Sequence, residues 1–282
     1  MRVHVPERDV KRVRAGGLEF AYLEEGEGPL VLLLHGFPDT AHTWDDVRPA
    51  LAAAGFRAVS PFTRGYAPSE IPSGDVYDSD TLGRDALALI EALGDGPACL
   101  VGHDWGASAA YSAAGLGGRA AIRKLVTVAI PHPAAIRPSP RLMWGARHFV
   151  TLRLPGAARR FARDDFAEVE RLYRRWSPTW ELPPGETEAV KNAYAAPGCL
   201  RAALGYYRCL RPTPPPGQRV KIDVPTLTFG GRDDGVATPA MFHGAARRFT
   251  GEYRVVMTSG GHFLHREAPQ EFLGPLLEFL RE

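Results

Sequence analysis

The stretch CLVGHDWGASAA, from Cys99 to Ala110, places a lone aspartate at the tip of a tight turn. An apolar run precedes the turn and small residues follow it, which predicts a strand, a sharp turn and a helix. Gly102 and Gly106 flank Asp104, and a Cβ at either glycine would crowd such a turn. The turn would lift the carboxylate above a sheet as a nucleophile and leave the N–H of Trp105 free to hold an oxyanion. Aspartate is also a good helix N-cap, so this stretch alone leaves a catalytic and a capping role open.

A histidine and two carboxylates occupy predicted loops nearer the C-terminus. The stretch GGHFLHREAP places His262 after an apolar strand, and His265 is a competitor expected within the following turn. The stretch VPTLTFGGRDDGV places Asp233 and Asp234 in the loop after the preceding strand. A carboxylate there could hold the imidazole in one tautomer and stabilise its charged form. Each feature is common in solvated loops, and only their combination with Asp104 indicates a catalytic site.

Alternating strands and helices are expected to position these side chains. Alternation or continuous apolar character predicts an antiparallel strand at Leu18–Leu23 and buried strands at Leu30–Leu34 and Phe56–Pro61. The amphipathic stretch DTLGRDALALIEALG predicts a helix that ends at Gly94, and a second helix is predicted over Trp105–Leu116. This alternation is typical of βαβ units and predicts an α/β protein with a mostly parallel sheet.

The alternation stops after Pro133 and resumes at residue 219. Between them lies a stretch rich in Arg, Trp and Tyr that includes the helical pattern DDFAEVERLYRRW. It closes with RPTPPPGQ, a Pro-rich linker expected to be extended. We therefore predict a core built from residues 1–133 and 219–282, interrupted by a helical insert at 134–218.

Composition excludes several classes of function. A chain of 282 residues with 45% hydrophobic residues has room for one large domain with an inserted smaller one. A net charge of +2 gives no support for a nucleic-acid partner. No apolar run approaches the roughly 18 residues of a membrane helix, and MRVHVPERDVKRVR lacks the apolar core of a signal peptide. The three cysteines have no metal-type spacing, which favours a reduced, cytoplasmic protein without a metal site.

The order nucleophile, acid, histidine, each in a loop after a strand, resembles the α/β-hydrolase superfamily, in the branch that uses an aspartate nucleophile. That branch contains epoxide hydrolases and haloalkane dehalogenases. The stretches HGFPDTAHTWDDVRPAL, RGYAPSE, GHDWGA, PTLTFGGRDDGV and GGHFLHREAP match its motifs in spacing, and the insert matches more loosely. The resemblance implies an α/β-hydrolase fold, with a mostly parallel central sheet flanked by helices and an inserted helical cap.

The resemblance also assigns individual residues. Counting from Pro225 places the acid at Asp234 rather than at its neighbour. The stretch HGFP resembles the oxyanion loop, so the N–H of Phe37 is expected to act with the N–H of Trp105. Pro38 is a candidate cis proline.

An aspartate nucleophile suits displacement at saturated carbon rather than ordinary acyl transfer. A carboxylate with a pKa of about 3.9 is ionised at neutral pH and needs no base to remove a proton before it attacks. Its attack would leave an alkyl ester on Asp104, and His262 would then activate water to hydrolyse that ester.

Two cap residues bear on the leaving group. An opened epoxide becomes an alkoxide that needs an acid, and a tyrosine hydroxyl stays protonated at neutral pH. The stretch LGYYRCL resembles the family's cap segment with such a tyrosine, which corresponds to Tyr207; a merely packed tyrosine is the alternative. By spacing, His148 replaces the second tyrosine of the family, and it is either a hydrogen-bond donor or a bystander.

Three functions stay open at this point. The favoured one is an epoxide hydrolase that acts on a small apolar electrophile without a cofactor, as a monomer or homodimer. A haloalkane dehalogenase would need N–H donors around a halide. Trp105 does not discriminate, because epoxide-opening relatives share HDWG, and Phe37 stands where haloalkane dehalogenases often place Asn. A catalytically silent binding protein on the same fold is the third function.

Overall fold

A central sheet of eight strands organises the computed structural model, which describes residues 10–94, 96–137 and 140–282. The strands lie in the order β1-β2-β4-β3-β5-β6-β7-β8. Their ranges are β1 Lys11–Ala15, β2 Leu18–Glu25, β3 Leu30–Leu34, β4 Arg57–Pro61, β5 Ala98–His103, β6 Ile122–Val128, β7 Thr226–Gly231 and β8 Tyr253–Thr258. The β1–β2 and β2–β4 pairs are antiparallel and all later pairs are parallel, so the predicted mostly parallel sheet is confirmed.

The inner strands β3 and β5 are buried along their whole length, as their continuous apolar sequences predict. Successive side chains point to opposite faces of the sheet. Leu32 therefore joins the apolar cluster on one face, whereas Leu33 joins the cluster on the other.

Helices cover both faces of the sheet. The α-helices that precede β6 are α1 Val47–Ala53, α2 Ser79–Leu93 and α3 Trp105–Ala121. The helix α2 begins where Asp78 accepts from the N–H groups of Asp80 and Thr81, and it ends at Gly94 as predicted. The helix α3 runs past the predicted end at Leu116, with a kink at Gly118.

The described chain between β6 and β7 holds helices and no named strand. Its α-helices are α4 Pro140–Gly145, α5 His148–Thr151, α6 Ala157–Phe161, α7 Arg163–Trp176, α8 Glu188–Ala195, α9 Cys199–Cys209 and α10 Pro216–Arg219. The expectation of an extended linker is wrong at its end, because Pro216 opens α10 and proline suits a first helical turn. The boundaries of the insert at residues 134 and 218 stay a prediction.

The chain closes with α11 Pro239–Gly244, α12 Leu264–Glu267 and α13 Pro269–Arg281. In the part of the chain that the structure describes, no helix has the length and apolar character needed to cross a membrane. The N-terminal stretch predicted to lack a signal peptide falls largely outside the described residues.

Candidate active site

Asp104 occupies a strained turn between β5 and α3. Its φ of 53° and ψ of −117° lie in a region that costs a non-glycine residue free energy. The neighbouring glycines permit the turn, because a Cβ on Gly102 would lie 2.3 Å from the Gly106 carbonyl oxygen. A Cβ on Gly106 would in turn lie 2.3 Å from the carbonyl oxygen of Leu34. The sequence therefore permits this strained turn, which places the Asp104 side chain between the end of β5 and the start of α3.

The carboxylate of Asp104 does not cap α3, so the capping interpretation is wrong for this side chain. Its Oδ1 instead accepts a hydrogen bond of 2.8 Å from the backbone N–H of Phe37. The residue is only 8% exposed, and a buried carboxylate needs such partners. The peptide bond between Phe37 and Pro38 is cis, as the HGFP stretch predicts. Trp105 is the first residue of α3, so its N–H has no acceptor within the helix.

His262 follows β8 and lies between two carboxylates. Its Nδ1 is 2.9 Å from Asp234 Oδ2, and its Nε2 is 3.3 Å from Asp104 Oδ2. The imidazole is 1% exposed, so water screens these contacts little. The structure thus brings together Asp104, Asp234 and His262.

Charge distribution in this triad is set by the two carboxylates. Burial opposes the imidazolium, but the charge of Asp234 and the contact with Asp104 outweigh it and raise the pKa of His262 to about 10. Burial likewise opposes the charge of Asp104, and His262 outweighs it and lowers the pKa of Asp104. Asp104 is therefore ionised and His262 protonated in the resting arrangement.

The two competitors of these residues lie elsewhere. Asp234 is buried, and its Oδ1 accepts from the N–H groups of Val236 at 2.6 Å and Ala237 at 3.1 Å. Asp233 is exposed to solvent. His265 lies within α12, where its Nε2 is 2.7 Å from Thr43 Oγ1.

Tyr207 lies on α9, and its ring packs against the two residues that flank the Asp104 carboxylate, Phe37 and Trp105. Its ring centroid is 5.0 Å from that of Phe37 and 5.3 Å from that of Trp105. The hydroxyl is buried, the Trp105 indole N–H lies against its oxygen as a donor, and no described residue accepts its proton. Burial and then the charge of Asp104 raise the pKa of Tyr207 well above its ordinary value, against the lowering effect of the hydrogen bond with the Trp105 side chain. The phenol is therefore protonated and available as a donor.

His148 begins α5 and is also buried, with its ring centroid 5.7 Å from that of Tyr207. Its Nδ1 is 3.2 Å from the carbonyl oxygen of Gly145, which can only accept. Burial lowers the pKa of His148 to about 3, so the ring is neutral. In this tautomer Nε2 carries a lone pair and is an acceptor, which argues against His148 as a donor to an alkoxide.

Four residues that contact the backbone around His262 were not predicted from the sequence. His103, Trp176, Ser177 and Glu267 contact its backbone or that of its neighbours. Glu267 stands in the same GGHFLHREAP stretch and could have been noted there. Trp176 and Ser177 come from the far insert, so no spacing signal points to them. Among the described residues no group of three or more potential ligands could hold a metal ion.

Comparison with known proteins defines the class. Residues 29–269 match the family model of the alpha/beta hydrolase fold. The chain therefore belongs to the α/β-hydrolase family, and the predicted fold class is confirmed. Within that family it is an epoxide hydrolase-like enzyme, as its relatives indicate.

The relatives cover nearly the whole chain. Epoxide hydrolase A of Mycobacterium tuberculosis is 32% identical, over 95% of this chain and 96% of its own length. The AB hydrolase superfamily protein YfhM of Bacillus subtilis is 28% identical, over 90% and 91% of the two chains. A crystal structure of a Bacillus megaterium epoxide hydrolase with an inhibitor superposes with a TM-score of 0.85. That protein is 26% identical, and the match covers 96% of this chain and 100% of the other.

Proposed function

We propose that this protein hydrolyses epoxides to vicinal diols through a covalent ester on Asp104, with water activated by His262. The observation that carries the proposal is the hydroxyl of Tyr207, which is buried beside the nucleophile and has no acceptor for its proton among the described residues. A buried donor left unpaired costs about 1–3 kcal/mol, and an epoxide oxygen would supply the missing acceptor. The similarity to named epoxide hydrolases supports the same assignment.

Ring opening is the first step. Oδ1 of Asp104 is held by the Phe37 N–H, so Oδ2 attacks a carbon of the epoxide. The C–O bond breaks, its electron pair goes to the epoxide oxygen, and that oxygen takes the proton of Tyr207. An alkyl ester, a new hydroxyl group and a tyrosinate result.

Loss of the Asp104 charge then changes His262. The imidazolium loses one of the two carboxylates that raise its pKa, so the pKa falls. The proton that His262 releases restores the hydroxyl of Tyr207. The neutral imidazole, still oriented by Asp234, is then a base for water.

Ester hydrolysis completes the cycle. His262 takes a proton from water, and the resulting hydroxide attacks Cγ of Asp104. The oxyanion forms on Oδ1, where the N–H groups of Phe37 and Trp105 stabilise it. Collapse expels the diol oxygen, which takes the proton of the new carboxyl group, so Asp104 and His262 regain their starting charges. The oxygen from water stays on Asp104.

The aromatic rings around Tyr207 favour a small apolar substrate. Phe37, Trp105 and Phe149 lie within 5.0–5.5 Å of its ring centroid. These rings offer dispersion contacts and no charge to bind an ionic substrate. The nucleophile and its histidine are nearly inaccessible, so the substrate enters by movement of the insert or of these side chains.

One observation favours C–halogen hydrolysis as a second candidate. The indole Nε1 of Trp176 is buried without a partner among the described residues, and its ring centroid is 5.2 Å from that of His262. An indole N–H can hold a departing halide, which needs no proton. Tyr207 has no comparable task in that reaction, so we place epoxide opening first.

A substrate panel separates these functions. The purified protein is incubated with a chromogenic epoxide and with a set of haloalkanes, and diol and halide are measured. Diol formation with at most slow halide release is the expected result. Halide release without diol would establish the dehalogenase instead, and no turnover of either class would favour a binding protein.

A further inference from the structure

The backbone of His262 is held at both of its polar groups. Its N–H donates to the carbonyl oxygen of Trp176 at 3.1 Å. Its carbonyl oxygen accepts from Nε2 of His103 at 3.0 Å, so the residue before the nucleophile contacts the residue that activates water. Both contacts are buried, where a hydrogen bond competes little with water.

Glu267 holds the residues on either side of His262. Its Oε2 accepts from the Gly261 N–H at 2.9 Å, and its Oε1 accepts from the Phe263 N–H at 3.0 Å. Oε1 also accepts from the hydroxyl of Ser177 at 2.5 Å. Hydrogen bonds to a carboxylate are among the strong ones in proteins, so Glu267 cross-links the loop on both sides of the imidazole.

The loop that carries His262 needs these hydrogen bonds because the two glycines before His262 give its backbone wide conformational freedom. Gly260 has a φ of 85°, and Gly261 follows directly before His262. Glycine restricts the backbone least of all residues, so these two positions alone would leave the imidazole poorly oriented. A displacement of about 1 Å at a reacting group can cost about a hundredfold in rate.

The end of α7, from the insert, closes over the same loop. A Cβ on Gly261 would lie 2.6 Å from both Ser177 Cα and the Trp176 carbonyl oxygen, so only glycine allows this approach. The Trp176 carbonyl also accepts from the Gly235 N–H at 3.1 Å, in the loop that carries Asp234. A carbonyl at the end of a helix has no partner within the helix. The Trp176 carbonyl therefore connects the loop that carries Asp234 to the loop that carries His262.

We propose that Glu267 and Ser177 are positioning residues for His262, so that docking of the α7 end completes the part of the site that hydrolyses the ester. The proposal deepens the proposed function and rests on it for its kinetic test. Alkylation depends on Asp104 and Tyr207, which Glu267 and Ser177 do not contact in any described hydrogen bond. Hydrolysis depends on the direction of the His262 ring, which they fix through the loop.

The kinetic test separates the two steps in Glu267→Gln and Ser177→Ala. Gln keeps the shape of Glu267 but turns an NH₂ group toward one of the N–H donors. We expect alkylation within about threefold of wild type and ester hydrolysis slower by about ten- to a hundredfold, so that alkyl-enzyme accumulates in intact-mass spectra. An equal loss in both steps would assign Glu267 to general stability and overturn the proposal.

Glu271→Gln and Ser259→Ala are matched controls. Glu271 accepts from the Ser259 N–H at 2.8 Å and from its hydroxyl at 2.5 Å, close in sequence to the same loop but without contact to Gly261 or Phe263. Both variants should keep the wild-type ratio of the two rates. If Glu271→Gln also accumulates ester, loss of a nearby charge rather than positioning is the cause, and the proposal is wrong.

A second readout needs no substrate. The proton shared by His262 Nδ1 and Asp234 gives a low-field NMR resonance whose position and width report the geometry of that pair. We expect it to move or broaden in Glu267→Gln and in Ser177→Ala, and to stay unchanged in Glu271→Gln. An unchanged resonance in both loop variants would overturn the positioning role even if no epoxide is turned over.

If wild type forms no adduct with any epoxide while the resonance responds as expected, the proposed function fails and the positioning role stands. Ser177→Ala, which removes a single hydroxyl, decides the matter if Glu267→Gln does not fold.

Discussion

Two adjacent tyrosines on α9 differ in what their hydroxyl groups contact. The hydroxyl of Tyr206 donates to the carbonyl oxygen of Arg64 at 2.7 Å. The hydroxyl of Tyr207 has no acceptor for its proton among the described residues, and the charge of the Asp104 carboxylate acts on it. The proton of Tyr206 therefore has an acceptor within the fold, whereas the proton of Tyr207 has none among the described residues.

Tyr207→Phe tests this difference. The change keeps the ring and removes the proton that the alkoxide needs. General-acid help contributes about a hundredfold to ten-thousandfold, so the alkylation rate with an epoxide should fall at least about tenfold. Stopped-flow measurement of the single-turnover rate checks it. Tyr206→Phe is the control and should alkylate at nearly the wild-type rate. If Tyr207→Phe opens the epoxide as fast as wild type does, the donor assignment is wrong.

The two neighbouring aspartates after β7 provide a second comparison. Asp234→Asn removes the charge that does most to raise the pKa of His262, and it leaves an amide facing the imidazole. Ester hydrolysis should slow by about a hundredfold or more while alkylation continues, so ester-linked enzyme accumulates. Asp233→Asn changes an exposed side chain and should hydrolyse the ester normally. The reverse ranking in intact-mass time courses would show that the wrong carboxylate was chosen.

At the scale of elements, the position of the strand–turn–helix unit around Asp104 was predictable from the sequence. The two glycines of this unit have a steric reason, because an added Cβ on Gly102 or Gly106 would lie 2.3 Å from a carbonyl oxygen. The end of α3 and the start of α10 were less predictable, because a helix can continue past a glycine and a proline-rich stretch can open a helical turn. Boundaries of this kind depend on tertiary packing more than on local preference.

Gly106→Ala tests the packing of this unit. The new Cβ would lie 2.3 Å from the Leu34 carbonyl oxygen, on the neighbouring strand β3. Relief of such a clash requires backbone movement and should cost about 1–3 kcal/mol or more of unfolding free energy. Gly244→Ala is the control, since no heavy atom outside its own helix and chain neighbours lies within 4 Å of its added Cβ, and it should be as stable as wild type or up to about 1 kcal/mol more stable. Urea unfolding followed by circular dichroism measures both. Equal stability of the two variants would contradict this account of the turn.

At the scale of the whole molecule, buried polar contacts join the insert to the core, and no sequence motif predicted them. Arg266 lies 2.7 Å from Asp39 in the loop after β3 and 2.5 Å from Glu186 in the insert. Its guanidinium also lies over the ring of Tyr173 on α7. Each partner is distant in sequence, so no motif spacing could predict the cluster.

The triad was predictable because its order along the chain follows the strand order. The contacts of the insert depend on how that insert packs, so they could not be read in the same way.

Arg266→Met tests how firmly the insert is held. The change keeps an unbranched apolar side chain but removes the cation from two buried carboxylates. Breaking a buried ion pair in this way should cost about 3–5 kcal/mol. Arg254→Met is the control, because Arg254 forms ion pairs only with exposed carboxylates among the described residues and should cost at most about 1 kcal/mol. Urea titration of both variants gives their unfolding free energies, and the two losses relative to wild type are compared. A loss at Arg266 no larger than that at Arg254 would show that the cluster does not hold the insert.

The covalent ester on Asp104 is the claim on which every later step depends. A single turnover in oxygen-18 water, with enzyme in excess over a chromogenic epoxide, tests it most directly. Water attacks Cγ of Asp104 and the ester oxygen leaves with the diol, so mass spectrometry should find the label in the peptide that contains Asp104. The diol of that first turnover should carry no label. Label in the diol, with an unlabelled Asp104 peptide, would mean direct attack of water on the epoxide and would contradict the nucleophilic role of Asp104.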